Sequence, residues 1–239
     1  MSHCGGFGAA QSLFDYEAVL FDLDGVLTPT SLLHRRAWKE AMNRHLRGRL
    51  VEPFADEDYY RTVDGRPRAA GIEAFFASRG LTVSGDEVRE IGDAKNALFG
   101  EMLASDGIAP YPGSLALLNA LADSEVKLAV VSSSKNAEAV LAAAGINDRF
   151  GCVIDGLVAA VHGLPGKPAP DTFWYAATHL GVAYSAAVVV EDAVAGVRAG
   201  AGGGFGLVVG VDRGTGAEPL TAAGADVVVS DLGELLVVA

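Results

Sequence analysis

Short, unbroken runs of apolar residues recur along the chain, and helical stretches separate them. The runs cover residues 18–21, 128–131, 187–190, 206–209 and 227–229, and they are rich in Val, Leu and Ala. Runs of this length are typical of strands buried on both faces, and their alternation with helices indicates a parallel sheet. The pattern therefore predicts an α/β fold with a doubly wound parallel sheet.

The pattern changes between the first and second runs. Residues 31–105 contain no comparable strand signal, whereas helix signals are frequent. Ser84 and Glu87 form a capping box before an apolar helix face, and Gly80 stands where a preceding helix can end. This segment is therefore predicted to be helical and inserted into the α/β fold.

The length of the chain agrees with such an insertion. The chain has 239 residues, half of them apolar, which is enough for one α/β domain of ordinary size and a modest addition. Pro and Gly residues at 110–113 mark the return to the α/β pattern. We predict an all-helical cap domain at residues 31–105 and a core domain formed by residues 1–30 and 106–239.

The charge of the chain limits the partners that it can bind. Its formal net charge is −12 and its isoelectric point is near 4.7, whereas nucleic acids and anionic lipids are bound by clustered Lys and Arg. We therefore expect no nucleic-acid partner and no membrane partner. A small anionic substrate would need a few local cations and a metal ion.

Cysteine content and the first residues indicate a cytoplasmic protein. Cys4 and Cys152 are far apart and lack metal-type spacing, so the sequence predicts neither a disulfide framework nor a zinc site. Residues 1–16 have no basic start and no apolar centre, so we expect an unstructured leader, not a secretion signal or a membrane anchor. No obligate protein partner is evident from the sequence.

Two carboxylates follow the first apolar run directly, in the sequence Asp22-Leu23-Asp24-Gly25. Open parallel sheets bind ligands at the carboxyl ends of their strands, and residues two apart in an extended chain point the same way. One Asp can therefore act as nucleophile and metal ligand, and the other as general acid and base. Such a sequence is also common in solvated turns, so the pair alone leaves both interpretations open.

Three further groups of polar residues follow later. Residues 132–136 read Ser-Ser-Ser-Lys-Asn, which offers donors for phosphate oxygens and can also cap the next helix. Lys167 precedes Pro170, where a helix can begin, although a lone surface lysine is the default interpretation. Glu191 and Asp192 end a buried run, and acids there are costly unless they are paired or bind a metal such as magnesium.

In this order, the four groups resemble the four motifs of the haloacid dehalogenase superfamily, over nearly the whole chain. The resemblance implies a Rossmann-like core and a Mg²⁺ cofactor. It implies that Asp22 is the nucleophile and Asp24 the general acid and base, and that Ser132 and Lys167 hold the phosphoryl group. The implied metal ligands are Asp22, Asp24, Glu191 and Asp192.

The position of the predicted cap resembles the beta-phosphoglucomutase-like branch of that superfamily. Residues 34–39 resemble its first cap helix, and residues 64–68 resemble its loop with a phosphate-binding arginine, here Arg68 with Arg66 as a substitute. Lys95 resembles a position that contacts the sugar. The resemblance implies the following substrate-binding residues: Thr30, His34, Arg68, Lys95, Ser134, Lys135 and Asn136.

Other interpretations of the cap residues stay open from the sequence alone. His34 and Trp38 lie one turn apart and could simply pack on a neighbouring helix, and Lys95 could lie on a solvated helix face. Pro29 departs from the branch, which carries an acidic residue in this linker, and a proline could stiffen the hinge.

The resemblance implies that the substrate is a small phosphorylated sugar. The implied reaction interconverts beta-glucose 1-phosphate and glucose 6-phosphate through an aspartyl phosphate and a glucose 1,6-bisphosphate intermediate. The alternative is a Mg²⁺-dependent phosphatase, in which water attacks the aspartyl phosphate formed from a sugar phosphate or another small phosphomonoester. A dehalogenase is disfavoured, because Asp24 supplies the second acid that a phosphate leaving group uses.

Other classes of protein fail on the spacing of their motifs. Residues 202–206 do not form Gly-x-Gly-x-x-Gly and precede a strand, so a dinucleotide site is not indicated. Gly166 and Lys167 lack a glycine five residues earlier and precede Pro168, so they form no nucleotide P-loop. A non-enzymatic binding module would have no need of the two aspartates of the first motif, and both are present.

Overall fold

The computed structural model describes residues 12–236, and its sheet is the feature that positions everything else. The strands are β1 (Ala18–Phe21), β2 (Lys127–Val131), β3 (Cys152–Ile154), β4 (Ala187–Glu191), β5 (Leu207–Val211) and β6 (Val227–Val229). They form one sheet in the order β3-β2-β1-β4-β5-β6, and every neighbouring pair is parallel. The predicted α/β fold with a parallel sheet is confirmed.

Both faces of this sheet are buried, as a doubly wound fold requires. Along β1, Val19 and Phe21 belong to one hydrophobic cluster, while Ala18 and Leu20 belong to another. Successive strand residues point to opposite faces, so the two clusters lie on opposite sides of the sheet. None of the four side chains is exposed to solvent. This explains why the strand reads as a continuous apolar run without alternation.

The edge strand β3 is the one strand that the apolar pattern does not predict. It has three residues, and Cys152 and Val153 are only partly buried. A short, half-exposed strand needs no long apolar run, so the sequence carries little signal for it. Cys152 is a free thiol in the structure. Cys4 lies outside the described residues.

Helices make up the rest of the regular structure. A π-helical turn, Tyr59–Val63, and short 3₁₀ turns supplement them. The α-helices are α1 (Thr30–His45), α2 (Asp56–Asp58), α3 (Arg68–Ser78), α4 (Gly85–Asp106), α5 (Pro112–Ala122), α6 (Ala137–Ala144), α7 (Gly156–His162), α8 (Asp171–Leu180), α9 (Val194–Gly202) and α10 (Ala217–Ala223).

The segment between β1 and β2 has no strand among its residues, all of which are described. The predicted capping box is confirmed at the start of α4, where the Ser84 hydroxyl accepts from Glu87 N and the Glu87 carboxylate accepts from Ser84 N. The helices of this cap enclose an apolar cluster of their own, which includes Trp38 and Phe75. The helical insertion is therefore as predicted, whereas the stated domain boundaries stay a prediction.

The first described residues correct one expectation. Leu13–Asp15 form a 3₁₀ turn that Ser12 caps, and Leu13 is buried in the main hydrophobic cluster. This part of the predicted unstructured leader is therefore ordered, because Leu13 packs on the core. The expectations for residues 1–11 fall outside the described residues. Within residues 12–236, no helix is long and apolar enough to cross a membrane.

Candidate active site

The sheet topology brings the predicted core residues to one edge. β1 lies between β2 and β4, and its last residue, Phe21, pairs with Val190. Asp22 therefore emerges beside Glu191, while Ser132 follows directly after β2. Polar side chains after parallel strands converge because the strands end at the same edge of the sheet.

The loop after β1 turns tightly at Gly25. The φ angle of this glycine is +95°, and a Cβ atom there would overlap the carboxylate of Asp192. Only glycine fits such a position without strain. Gly25 N donates to Thr28 O at 2.8 Å, which closes the turn. The turn therefore brings the loop that carries the first two aspartates against Asp192.

Lys167 is buried among the strand ends, with 2% of its side chain exposed. Its Nζ lies 2.5 Å from Asp22 Oδ1 and 2.5 Å from Glu191 Oε1, and it donates to Val131 O at 2.8 Å. Burial alone would lower the pKa of Lys167, but the carboxylates of Asp22 and Glu191 outweigh burial and raise it above its ordinary value. Lys167 is therefore charged, and the interpretation as a lone surface lysine is wrong.

Three buried carboxylates form a group that could hold a metal ion. Oxygen atoms of Asp22, Glu191 and Asp192 lie within 4.8 Å of one another. Burial raises the pKa of Asp192 well above its ordinary value, and the nearby carboxylates of Asp64 and Asp22 raise it further. Glu191 Oε1 is buried and forms an ion pair with Lys167 Nζ at 2.5 Å.

This donor set fits magnesium. The donors are all oxygens, the ligand type of hard divalent cations, and the local negative charge exceeds what one lysine offsets. When bound, Mg²⁺ supplies positive charge that offsets the charge of phosphoryl oxygens. The carboxylate of Asp24 is not among the three grouped residues in the described chain, so its place among the metal ligands stays a prediction.

Removal of the Asp192 carboxylate is expected to weaken magnesium binding. The Mg²⁺ concentration for half-maximal activity and the Kd from titration calorimetry should both rise roughly tenfold or more in Asp192→Ala. The control is Asp148→Ala, which removes an exposed acid outside the group of three carboxylates, and it should change neither value. Full activity of the wild-type enzyme after chelation would contradict the metal role.

Asp24 connects the core to the first cap helix. Its Oδ1 accepts from the Thr30 hydroxyl at 2.5 Å and lies 3.1 Å from His34 Nε2, while its Oδ2 accepts from the Ser132 hydroxyl at 3.3 Å. Burial alone would raise the pKa of Asp24, but His34 and the hydrogen bonds outweigh burial and lower it below its ordinary value. The two predicted residues Thr30 and His34 thus contact Asp24.

Lys95 extends this connection deeper into the cap. Its Nζ lies 2.5 Å from His34 Nδ1 and 4.7 Å from the centre of the Phe99 ring, and 3% of the residue is exposed. Burial lowers the pKa of Lys95 to about 7, although Asp24 opposes this shift. The interpretation of Lys95 as a solvated residue is therefore wrong. His34 stacks on Phe99 as well as contacting Asp24 and Lys95.

Arg68 lies at the other end of the site, and the side-chain amides of Asn96 and Asn136 connect it to the core. Its Nη2 donates to Asn96 Oδ1 at 3.0 Å, and Asn136 Nδ2 donates to the same oxygen at 2.8 Å. Asn136 precedes α6, but its side chain makes no capping hydrogen bond. The expected capping role is wrong for this side chain, because the amide is turned toward the cap.

The loop that carries Arg68 lies directly against the core. The Ser133 hydroxyl donates to Gly65 O at 3.1 Å. A Cβ atom on Gly65 would press on Ala193, and one on Gly166 would overlap the ring of Pro67. Side chains at these glycines would separate the two surfaces, so the close contact between cap and core depends on their absence.

One cavity joins the two ends of the site. Predicted residues from the core and the cap line it together, and Arg66 is among them. Thr30, Ser132, Lys167 and Asn136 do not line it but contact residues that do, or lie next to them in the chain. The predicted residues in the lining are Asp22, Asp24, His34, Arg68, Lys95, Ser134, Lys135, Glu191 and Asp192.

Among the lining residues that were not predicted from the sequence, two have titratable side chains. Asp64 and Tyr59 face the same cavity, and Asp64 N donates to Tyr59 O at 2.9 Å. Burial raises the pKa of Asp64 to about 6, although the neighbouring Tyr59 opposes this shift. Asp64 is the first residue of the loop 64–68 that resembles the phosphate-binding loop of the cap, so this resemblance could have identified it. Tyr59 carries no comparable signal, because it belongs to an apolar cap helix pattern.

Comparisons with known proteins agree with this geometry. The family model described as haloacid dehalogenase-like hydrolase matches residues 16–204. The chain is 41% identical to a beta-phosphoglucomutase of Mycobacterium bovis, over 92% of this chain and 91% of that protein. It is 32% identical to a validoxylamine A 7'-phosphate phosphatase of Streptomyces hygroscopicus subsp. limoneus, over 92% of this chain and 96% of that protein.

A solved structure shares the arrangement of both parts. The crystal structure of a beta-phosphoglucomutase from Clostridium difficile superimposes with a TM-score of 0.78 at 26% sequence identity. The match covers 92% of this chain and 93% of that chain. The similarity therefore extends over the sheet and the helical insertion.

Proposed function

Because the chain belongs to the haloacid dehalogenase-like hydrolase family, we propose that this enzyme transfers phosphoryl groups through Asp22 and interconverts beta-glucose 1-phosphate and glucose 6-phosphate. The proposal agrees with the 41% identity to a beta-phosphoglucomutase. A glucose 1,6-bisphosphate is the intermediate, and it must turn around between the two transfers.

The observation that carries this proposal is a cavity with two polar ends. Asp22, Asp24 and the acidic group lie at one end, and Arg68 with Lys135 lies at the other. A bisphosphate needs one end that reacts and another that binds a phosphate without reacting. Arginine offers a planar, permanently charged fork for phosphate oxygens, which suits the second task.

The reacting end contains the groups that phosphoryl transfer needs. The carboxylate of Asp22 attacks phosphorus, an aspartyl phosphate forms, and the bond from phosphorus to the sugar oxygen breaks. Asp24, ionised beside His34, takes the proton of the sugar hydroxyl that attacks the aspartyl phosphate, a transfer that restores Asp22. It returns this proton to the sugar oxygen that leaves when Asp22 attacks the other phosphate. Lys167, held 2.5 Å from Asp22, stabilises the negative charge of the transferred group.

The cap contacts of Asp24 favour transfer to a sugar over transfer to water. Thr30 and His34 are on the first cap helix, so Asp24 is held in place only while this helix lies against the core. When the cap is open, Asp24 is not aligned, so it does not activate a water molecule that reaches the aspartyl phosphate. Hydrolysis of the aspartyl phosphate is then slow until a sugar phosphate closes the site.

A phosphatase is the second candidate. The observation that favours it is the 32% identity, over nearly the whole chain, to a validoxylamine A 7'-phosphate phosphatase. Both reactions begin with the same attack by Asp22, and they differ only in whether water or a sugar hydroxyl accepts the phosphoryl group.

One assay separates the two candidates. The enzyme is incubated with Mg²⁺, beta-glucose 1-phosphate and a trace of glucose 1,6-bisphosphate, and glucose 6-phosphate and free phosphate are followed together. We expect glucose 6-phosphate to form with little free phosphate. Stoichiometric release of phosphate without isomerisation would assign the chain to the phosphatases.

Arg68→Ala is expected to lower isomerase activity by on the order of a hundredfold, the loss of about 3 kcal/mol from a charge-assisted contact. The distal phosphate then contributes less to cap closure, so both binding and turnover fall. Hydrolysis of p-nitrophenyl phosphate, which has no distal phosphate, should change far less in the same variant.

The control for this variant is Arg47→Ala, which removes an exposed arginine after the first cap helix. It should leave both rates unchanged. Equal losses on the two substrates in Arg68→Ala would indicate general damage to the site. An unchanged rate with the sugar phosphate would show that Arg68 does not bind the distal phosphate.

A further inference from the structure

The loop after Asp24 is held by three donors that none of the four motifs contains. The carbonyl oxygens of residues 25–27 accept, in order, from Arg213 Nε at 2.8 Å, from the Ser114 hydroxyl at 2.7 Å and from Tyr111 N at 3.0 Å. Every backbone acceptor between Asp24 and Thr28 is thus occupied from outside the loop. A loop held in this way cannot move without breaking contacts to distant segments.

Arg213 lies in a turn after β5 that hydrogen bonds hold in place. Asp212 Oδ1 accepts from Gly214 N at 2.8 Å and from Gly216 N at 2.9 Å, which fixes the turn that presents Arg213. The Nη1 of Arg213 donates to Ser230 O at 2.9 Å. The guanidinium therefore bridges two backbone segments with two nitrogens of its rigid fork, a geometry that a lysine cannot reproduce.

The same guanidinium is stacked on Tyr111. Its central carbon lies 3.7 Å from the centre of the Tyr111 ring. This distance is within the range of a close cation–π contact, and the ring is half-buried. Tyr111 precedes α5, so it stands where the chain returns from the cap to the core.

Both connections between core and cap therefore meet at Arg213. The outgoing connection, residues 25–30, contains Gly25, whose carbonyl Arg213 binds, and ends at Thr30, which donates to Asp24. The returning connection contains Tyr111, on which Arg213 stacks. The Nη2 of Arg213 is buried without a hydrogen-bond partner and belongs to a side chain that lines a cavity of about 170 Å³ together with Asp192.

We propose that Arg213 is a positioning residue that fixes the loop of residues 25–27 and both cap connections as one rigid base. It thereby keeps Asp22 and Asp24 aligned and limits transfer of the phosphoryl group to water. The inference rests on the proposed transfer through Asp22. A displacement of about 1 Å in reacting groups can lower rates by on the order of a hundredfold, so a contact outside the cavity can control turnover.

The test compares variants of Arg213 and Tyr111 by kcat, KM and product partition. In Arg213→Met, which keeps the apolar stem and loses all donors, kcat with the sugar phosphate should fall roughly tenfold to a hundredfold while KM changes less than about threefold. The share of phosphoryl groups released as free phosphate should rise severalfold. Arg213→Lys should recover little, because the fork is missing.

Tyr111 supplies variants that leave Arg213 intact. Tyr111→Leu removes the stacked ring and should change kcat and partition in the same direction but less strongly. Tyr111→Phe keeps the ring and should stay within about twofold of the wild type. Arg198→Met, which removes an exposed arginine of α9, is the control for loss of charge. If Arg213→Met does not fold, Tyr111→Leu still decides the question.

Thermal unfolding and p-nitrophenyl phosphate hydrolysis complete the test. All rates are taken well below the unfolding midpoint of each variant and are scaled to the folded fraction. Wild-type kcat and partition in folded Arg213→Met would overturn the proposal. If the wild-type enzyme hydrolyses phosphate esters but does not isomerise the sugar phosphate, the proposed isomerase function is wrong, and the fall of kcat for hydrolysis in Arg213→Met still tests the role of Arg213.

Discussion

Asp22→Asn is expected to lose turnover by roughly four orders of magnitude or more and to remain folded. An amide has nearly the shape of the carboxylate but does not attack phosphorus, so no aspartyl phosphate forms. Asp22 lies at the end of β1, where its backbone N donates to Val190 O at 2.9 Å, and this contact is independent of the side chain. Lys167 keeps Glu191 as a partner, so circular dichroism should resemble that of the wild type, while the unfolding midpoint should fall because the buried Asp22–Lys167 ion pair is lost.

A second variant distinguishes the nucleophile from the acid and base. Asp24→Asn can still form the aspartyl phosphate from a substrate with a good leaving group, so its rate should fall by on the order of a hundredfold or more only where proton transfer is needed. Mass spectrometry of the trapped peptide that contains residues 18–27 should show phosphate in the wild type and none in Asp22→Asn. A turnover within tenfold of the wild type in Asp22→Asn would exclude Asp22 as the nucleophile.

Lys167→Met should reduce both stability and turnover. The lysine is buried between Asp22 and Glu191, so its loss leaves two uncompensated carboxylates in a site with little water. Breaking a buried ion pair in this way typically lowers the free energy of unfolding by about 3 to 5 kcal/mol. Loss of the positive charge beside the transferred group should lower kcat by roughly a hundredfold to a thousandfold.

The control is Lys39→Met, which breaks a surface ion pair with Asp56 whose two side chains are 50% and 45% exposed. Such pairs contribute less than about 1 kcal/mol. Urea titration of each variant in chelator gives the free energies of unfolding without metal binding. Equal, small losses of stability in the two lysine variants would contradict the buried ion pair.

Much of the fold is legible in the sequence because burial on both faces leaves a simple pattern. β1 and β6 coincide with their apolar runs, while β2, β4 and β5 begin or end within two residues of theirs. β3 and β6 are both edge strands of three residues. The three valines of β6 form a recognisable run, whereas the Val-Ile pair of β3 beside Cys152 does not. The family was predicted from the four motifs, and the match over residues 16–204 confirms it.

The core of the site was predictable for a topological reason. In a parallel sheet, residues that follow different strands meet whatever their separation in the chain, so Asp22, Ser132 and Asp192, which follow β1, β2 and β4, lie at the same edge. The assigned roles of these residues stay predictions until the variants are measured. Their positions, however, follow from strand order alone.

The remaining contacts depend on packing that no local pattern encodes. Lys95 is buried because its ammonium contacts His34 of α1 and Phe99 of its own helix. The periodic pattern of a helix shows which residues share a face, but not which neighbour that face contacts. Arg213 reaches Gly25 across 188 positions, from a loop whose sequence looks like an ordinary turn. Such side-chain contacts need the three-dimensional structure, since several orientations satisfy the same sequence.

The two glycines where the cap loop meets the core have a consequence for how the enzyme can be varied. Gly65 and Gly166 leave no room for a methyl group against Ala193 and Pro67, respectively. An alanine at Gly166 would act as a wedge that disfavours the closed form without removing any polar group of the site. The equilibrium between open and closed populations could then be shifted in small steps, and the enzyme tuned between phosphate release and sugar isomerisation by steric size alone.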